Sequence, residues 1–389
     1  MYIDETYGKT DTIVATTKFI KLFSEEPFEF DSGERLKNIE VAYQTYGTLN
    51  SSRSNAILIC HALTGNAHAA GIITEEELKN STDYEFLYKY NEMYLNKPGW
   101  WDALIGKGKV FDTDKYFVIC SNILGSCYGT SGPASNTNNS SNKFGMHFPS
   151  VTVRDMVKVQ QELIRYLNVN KIVAAVGGSL GGMQVLEWAA LYPELLNSII
   201  PIATSPAHSA WAVALNKTAK DAITNDVEWK DGNYTSQPVK GLSLARQIAM
   251  VSYRAFNSFN SKFGREIQNT PYNSKKFQVE SYLDYQGNKL VNRFDANTYL
   301  YLANAMDMHD IGRNRGSVED VLKNIDIPAL CIGIDSDILY PAQEQRYIAN
   351  HLSNSIYKEI KSPHGHDAFL IEFDQLESYI KPFLDELNL

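Results

Sequence analysis

The sequence predicts an α/β fold: a mostly parallel central sheet flanked by helices, with a helical segment inserted late in the chain. Three observations carry this. Short, near-continuous apolar runs recur along the chain, helical patterns fall between several of them, and strand-like runs vanish between about 205 and 325 before resuming at Ile327. Runs without alternation mark strands buried on both faces of a parallel sheet. Strands that alternate with helices mark the α/β class.

Taken in order, residues 1–15 look loosely ordered. Phe19 to Tyr46 offers strand-like pieces around a turn at Asp31-Ser32-Gly33 and ends in "IEVAYQTYG", which reads as antiparallel strands at a sheet edge. The buried-strand runs follow: "AILIC" (56–60), "YFVIC" (116–120), "KIVAAV" (171–176), "SIIPIA" (198–203) and "PALCIGI" (328–334). The polar stretch "SNTNNSSNKFG" (135–145) reads as a loop. "TVRDMVKVQQELIRYLNV" (152–169) spaces Met156, Val159, Leu163, Ile164 and Leu167 as one helix face, with Thr152 to cap it and Asp155 in the first turn. "QVLEWAALYP" and "AQEQRYIANHL" are further helices, and "FDQLESYIKPFLDEL" is expected to be a helix bent or interrupted at Pro382. Within 205–325, "HSAWAVALNKTAKDAI", "GLSLARQIAMVSYRAF", "KFQVESYLDYQ" and "NTYLYLANAMDMHDI" all favour helix. The expected organisation is a core from 1–204 and 326–389, with 205–325 as a helical lid.

The 389 residues are 44% apolar, enough for a large core, and carry a net charge of −9. There is no long basic run, so nucleic acid is not an expected partner. Cys60, Cys120 and Cys331 end or sit inside apolar runs, and no cysteine pair, Cys127 included, has zinc-finger spacing. Reduced thiols in a cytoplasmic protein are expected. "MYIDETYGKTDT" has no apolar core of the kind a signal peptide needs. Ile172 to Tyr192 has only Glu187 as a charge, but "GGSLGG" at its centre reads as strand, turn and helix rather than a membrane span.

That same window supplies the chemistry. Gly177-x-Ser179-x-Gly181 lies between an apolar strand and a helix, the setting of a nucleophile elbow. The sharp turn forces its central residue into a strained backbone conformation and brings neighbouring chains so close that only glycine fits beside it. GxSxG alone is a weak pattern and also fits a tight turn with an incidental serine; its placement is what argues for function. A serine hydroxyl needs an adjacent base, and in this architecture the order is Ser, Asp/Glu, His. The acid belongs in the loop after a late strand, where "PALCIGIDSDILYP" offers Asp337, preferred because it stands further into the loop, and Asp335. The base belongs near the C-terminus, where "SPHGHDAFL" offers His366, preferred because an apolar run follows it, and His364. "CHALTGNAH" (60–68), after the first buried strand, is the expected oxyanion loop. The backbone N–H groups of Leu63 and Leu180 are the candidate donors. His61 stands too early in the order to be the base.

Together these segments resemble the homoserine O-acetyltransferase family of the α/β-hydrolase superfamily, over nearly the whole chain. The resemblance includes "YQTYGTLN" (43–50), "CHALTG" (60–65), "PGWWDALIGKGKVFDTDKYFVICSNILGSCYGTSGPAS" (98–135), the Ser179 elbow, "VESYLDYQGNKLVNRFDANTYLYL" (279–302) and "GHDAF" (365–369). Thr130 stands where that loop more often has serine, and Met146-His147 precede "FPSVT" instead of a residue such as aspartate. The resemblance implies an α/β-hydrolase fold, acylation of Ser179 by acetyl-CoA, attack by the hydroxyl of L-homoserine in a ping-pong cycle, and a homodimer. It implies acetyl-CoA as a substrate and no bound cofactor or metal. It also implies that Asp367 contacts the amino-acid substrate and that Arg246 binds its carboxylate.

The residues test part of this. Leu242, Ala245, Ile248 and Ala249 make an apolar helix face beside Arg246. An arginine there must snorkel, pair or bind something, and its planar fork suits a carboxylate. Arg254 is the fallback cation, and Tyr253 lies two turns after Arg246 on about the same face. Three other readings stay open: an esterase-type hydrolase using the same triad, a relative using succinyl-CoA or serine, and a non-catalytic scaffold.

Overall fold

The computed structural model describes residues 13–137, 142–269 and 275–387. The expectations for residues 1–12 and for 138–141 of the polar stretch lie outside them. Residues 13–15 are held in place: the Ala15 N–H donates to the Ile72 carbonyl at 3.0 Å.

Eight strands form one sheet: β1 (Lys18–Leu22), β2 (Ile39–Tyr46), β3 (Ala56–Cys60), β4 (Phe117–Ser121), β5 (Ile172–Gly178), β6 (Ile199–Ile202), β7 (Ala329–Ile334) and β8 (Ser355–Ile360). Their spatial order is β1-β2-β4-β3-β5-β6-β7-β8. β2 runs antiparallel to both β1 and β4. Every pairing from β4 to β8 is parallel. The five apolar runs are strands β3 to β7, each within two residues of its expected bounds. Strand β8 was not expected. It is an edge strand whose "SIYKEI" buries only Ile360 fully, so its sequence lacks the apolar run that marks the others.

Alternate residues of these strands feed the two faces. Leu58 and Cys60 join a core with Met156, Leu163, Met183 and Leu186, whereas Ile57 and Ile59 join one with Trp101, Phe369, Ile380 and Phe383. The helices are α1 (Glu75–Asn80), α2 (Glu85–Met93), α3 (Val153–Tyr166), α4 (Leu180–Leu191), α5 (Ala210–Thr224), α6 (Val239–Tyr253), α7 (Phe256–Phe263), α8 (Gln278–Val291), α9 (Ala296–Asp307), α10 (Val318–Lys323), α11 (Ala342–His351) and α12 (Phe373–Glu386). Helix α3 opens with a reciprocal cap: the Asp155 N–H donates to Thr152 Oγ1 at 3.2 Å, and the Thr152 N–H donates to Asp155 Oδ2 at 3.0 Å. Glu187, the lone charge in its window, is buried on α4 and pairs with Arg315 at 2.8 Å and Arg154 at 3.5 Å.

Two details depart from expectation. Helix α12 continues through Pro382 without interruption. A proline removes one backbone hydrogen bond, and the burial of Ile380, Phe383 and Leu384 around it holds the helix together. Residues 205–325 also contain a short antiparallel pair, Ile267–Asn269 with Lys275–Phe277, immediately before α8. Among the described residues no helix is long and apolar enough to cross a membrane, and all four cysteines are free and buried.

Candidate active site

The topology gathers the chemistry at one edge. Ser179 follows the carboxyl end of β5, the 60–68 loop follows its neighbour β3, Asp337 follows β7, and His366 follows β8. Open α/β sheets bind their ligands outside these strand ends.

Ser179 has φ 59° and ψ −125°, well outside the allowed left-handed helical region. Holding a non-glycine residue there costs about 1–3 kcal/mol. Surrounding bonds impose it. The Ser179 N–H donates to the Ile202 carbonyl at 3.0 Å, and the Ser179 carbonyl accepts from Thr204 Oγ1 at 2.8 Å and from the Met183 N–H at 3.2 Å. The flanking glycines serve close approach. A Cβ on Gly181 would lie 2.1 Å from the Cys60 carbonyl oxygen, and one on Gly178 would lie 2.6 Å from the Phe369 ring.

Phe369 links the elbow to His366, since its ring centroid is 5.6 Å from that of the imidazole. His366 Nδ1 lies 2.7 Å from Asp337 Oδ2. Asp337 Oδ1 accepts the Leu339 and Tyr340 N–H groups at 2.8 and 3.0 Å. Ser179, Asp337 and His366 are all buried. Burial disfavours the imidazolium, but the adjacent Asp337 carboxylate outweighs it and raises the His366 pKa above the usual histidine value. With Nδ1 occupied by the carboxylate, Nε2 is the nitrogen left to exchange a proton. Asp335 turns elsewhere: its carboxylate accepts the Ser362 N–H at 3.1 Å and so shapes the turn. His364 donates its backbone N–H to Ser362 Oγ at 3.1 Å and has no bond to Asp337.

The 60–68 loop is fixed from several sides. The Ile123 N–H donates to His61 Nε2 at 3.1 Å, so Nδ1 carries the proton and donates to the Ala62 carbonyl at 2.8 Å. Burial lowers the His61 pKa to about 4, which keeps the ring neutral and structural. Gln184 of α4 donates to the His61 carbonyl at 3.1 Å. Among the described residues, the Leu63 and Leu180 N–H groups have no backbone acceptor outside helix α4.

Arg246 stacks its guanidinium on the Tyr253 ring, 5.5 Å from the centroid, and that ring is 5.6 Å from His366. One aromatic ring thus separates Arg246 from the base, and no carboxylate pairs with it among the described residues. The fallback, Arg254, is committed differently, because its Nε lies 3.2 Å from Asp367 Oδ2.

Three supports carry no signal in the sequence. Tyr340 packs its ring 5.3 Å from His366, and His208 bridges its hydroxyl (2.9 Å) to Asp307 (3.1 Å). Arg293, buried, donates to the Thr64 carbonyl at 3.0 Å and to the Tyr128 hydroxyl. Trp101 Nε1 donates to the Phe369 carbonyl at 3.1 Å. Trp101 and Arg293 sit inside segments that carry the family resemblance, but nothing in their spacing announces these contacts. A cavity of about 670 Å³ opens beside Lys37, Tyr84 and Lys143, and no triad or oxyanion-loop residue lines it. Its size is therefore no guide to the candidate triad.

Comparison with known proteins places these features among relatives. Residues 55–373 match the family model described as the alpha/beta hydrolase fold. The homoserine O-acetyltransferase of Moorella thermoacetica is 46% identical over 96% of this chain and 97% of its own length. That of Carboxydothermus hydrogenoformans is 47% identical over 91% and 92%. Among solved structures, the homoserine O-acetyltransferase of Bacillus anthracis superposes with a TM-score of 0.85 at 30% identity, covering 96% of this chain and 98% of that one. Esterase E22 superposes with a TM-score of 0.82 at 27% identity, covering 95% and 100%.

Proposed function

The chain belongs to the homoserine O-acetyltransferases of the α/β-hydrolase superfamily, and from that premise we propose that it carries an acetyl group from acetyl-CoA to the hydroxyl of L-homoserine on Ser179. The observation that carries this reading is the His366–Asp337 pair, joined through the Phe369 ring to the elbow that holds a strained, buried serine.

In the proposed cycle, Ser179 Oγ attacks the thioester carbonyl while His366 Nε2 takes its proton. The Leu63 and Leu180 N–H groups stabilise the tetrahedral oxyanion. The C–S bond breaks, His366 returns the proton to the leaving thiolate, and free CoA departs. The homoserine hydroxyl then gives its proton to His366 and attacks the acyl-serine. Collapse releases O-acetylhomoserine, an intermediate toward methionine, and returns the proton to Ser179. Acetyl-CoA is a substrate, and the scheme calls for no bound cofactor or metal.

Arg246 serves the acceptor's carboxylate, a role supported by its lack of an acidic partner among the described residues. Asp367 serves the ammonium with Arg254 steadying it. Helices of 205–325 act as the lid that keeps water from the acyl-enzyme. The placement of Tyr253, at the end of α6, against His366 supports that role. Exposed Leu244, Val251, Phe256 and Tyr285 on the same insertion support a homodimer, and reduced buried thiols support a cytoplasmic location.

The test is release of free thiol from acetyl-CoA with L-homoserine, run beside succinyl-CoA and L-serine. Homoserine-dependent release from acetyl-CoA supports the proposal. Release that ignores the acceptor supports an esterase-like hydrolase, the second reading favoured by the likeness to esterase E22.

Two further results are expected. The raised His366 pKa means that the proton-accepting form appears only above the ordinary histidine range. The acid limb of kcat/KM should therefore have its midpoint above about 6.5, read from a pH–rate profile; a midpoint near 5 would contradict the pairing. Arg246→Lys keeps the charge but loses the fork, and should raise KM for homoserine roughly tenfold or more. Steady-state kinetics with the acceptor varied would show whether the loss falls on that half of the cycle.

A further inference from the structure

We infer that a small cavity beside the His366 loop binds a phosphate of the acyl donor's nucleotide end. This rests on the acyl-CoA reading above and extends it to how the donor is held.

The cavity has a volume of about 120 Å³ and is lined by Arg254, Lys262 and His364, with Ser258, Ser261 and Tyr282. Among the described residues no acidic side chain lines it. Three basic groups and three hydroxyls therefore converge on a space the size of a phosphate group rather than of a whole nucleotide. Charge-assisted and hydroxyl donors of this kind suit phosphate oxygens.

One polar atom in its wall lacks a hydrogen bond among the described residues: the buried Nδ1 of His364. Arg254, also in the wall, keeps its Nε 3.2 Å from Asp367 Oδ2. A buried polar atom left unpaired is unfavourable, and a ligand group hydrogen-bonded to His364 Nδ1 would relieve it. Lys262 holds its ammonium 5.4 Å over the Phe263 ring and 5.1 Å over the Tyr282 ring. That contact positions the charge without neutralising it. Phe259 packs against the same group, tilted to Phe263 at 5.9 Å and edge-on to Tyr282 at 6.2 Å, so aromatic rings adjoin the cations.

The cavity shares a wall with the reaction centre. His364 and His366 are separated only by Gly365, where a Cβ would lie 2.8 Å from the Ala255 nitrogen. A thioester reacting at Ser179 must send the rest of its molecule away from the triad, and the cavity is lined by His364, two residues from His366.

The experiment compares acetyl-CoA with S-acetyl-N-acetylcysteamine, which keeps the thioester but has no phosphate. The wild type should prefer acetyl-CoA, and Lys262→Ala should cut that preference in kcat/KM about tenfold, the effect of one lost charged contact. Lys262→Glu should cut it further, and Lys262→Arg should restore it. Lys323→Ala, distant on α10, should keep the wild-type ratio. Adenosine 3′,5′-bisphosphate should compete with acetyl-CoA, and about tenfold more weakly in Lys262→Ala. Lys262 is exposed on α7, so its variants should fold, which a thermal melt checks. A ratio unchanged in both Lys262→Ala and Lys262→Glu overturns the subsite while leaving acyl transfer standing. A wild type that uses neither donor overturns the acyltransferase reading and the subsite with it.

Discussion

Ser179→Ala should remove essentially all turnover, with kcat falling by roughly 10⁵–10⁶, the scale seen when a serine nucleophile is lost from an intact triad. The reason lies in the elbow. The turn aims a single hydroxyl at the strand end, and the strained φ of 59° persists because the Ile202, Thr204 and Met183 bonds impose it. None of these bonds uses the Ser179 side chain. Alanine should therefore take up the same backbone conformation, and the variant should melt close to the wild type. Loss of turnover without loss of fold is the expected pair of results, read by thiol release and by thermal melting. Retained turnover would remove Ser179 from the mechanism.

The second large effect separates two acids that stand two residues apart. Asp337→Asn should lower kcat by roughly 10⁴, because the amide no longer enforces the reactive tautomer of His366 or stabilises its charged form. Its acid limb should also move to lower pH, because the carboxylate is what raises the His366 pKa. Asp335→Asn should change turnover only a few-fold. That side chain holds the Ser362 N–H and shapes the turn, but it does not reach the imidazole. Steady-state rates of the two variants, measured side by side, decide the assignment; equal losses would contradict it.

Much of this fold is legible in the amino-acid sequence. Strands β3 to β7 announce themselves because both of their faces are buried, which forces unbroken apolar runs. The edge strand β8 is invisible by the same logic, since its half-exposed "SIYKEI" obeys no such constraint. Likewise the pair Ile267–Asn269 and Lys275–Phe277 is too short to set a period. At the site, Ser179, Asp337 and His366 follow from chain order and local pattern. The choice of Asp337 over Asp335 needs only the length of the preceding strand. Tyr340, His208 and Asp307 cannot be found this way. Their link to His366 joins residues far apart in the chain through hydrogen bonds that no local spacing records. The Arg254–Asp367 contact is of the same kind, and it recasts Arg254 from an alternative carboxylate site to a partner of Asp367.

The central claim is that Ser179 holds the acetyl group between donor and acceptor. The most direct measurement mixes the protein with acetyl-CoA in the absence of homoserine, quenches the reaction and maps the adduct by mass spectrometry. One acetyl group on the peptide bearing Ser179, discharged on adding L-homoserine with O-acetylhomoserine formed in equal amount, is the expected result. An adduct that water clears equally fast with or without homoserine, or product formed with no acetyl ever found on Ser179, would contradict it.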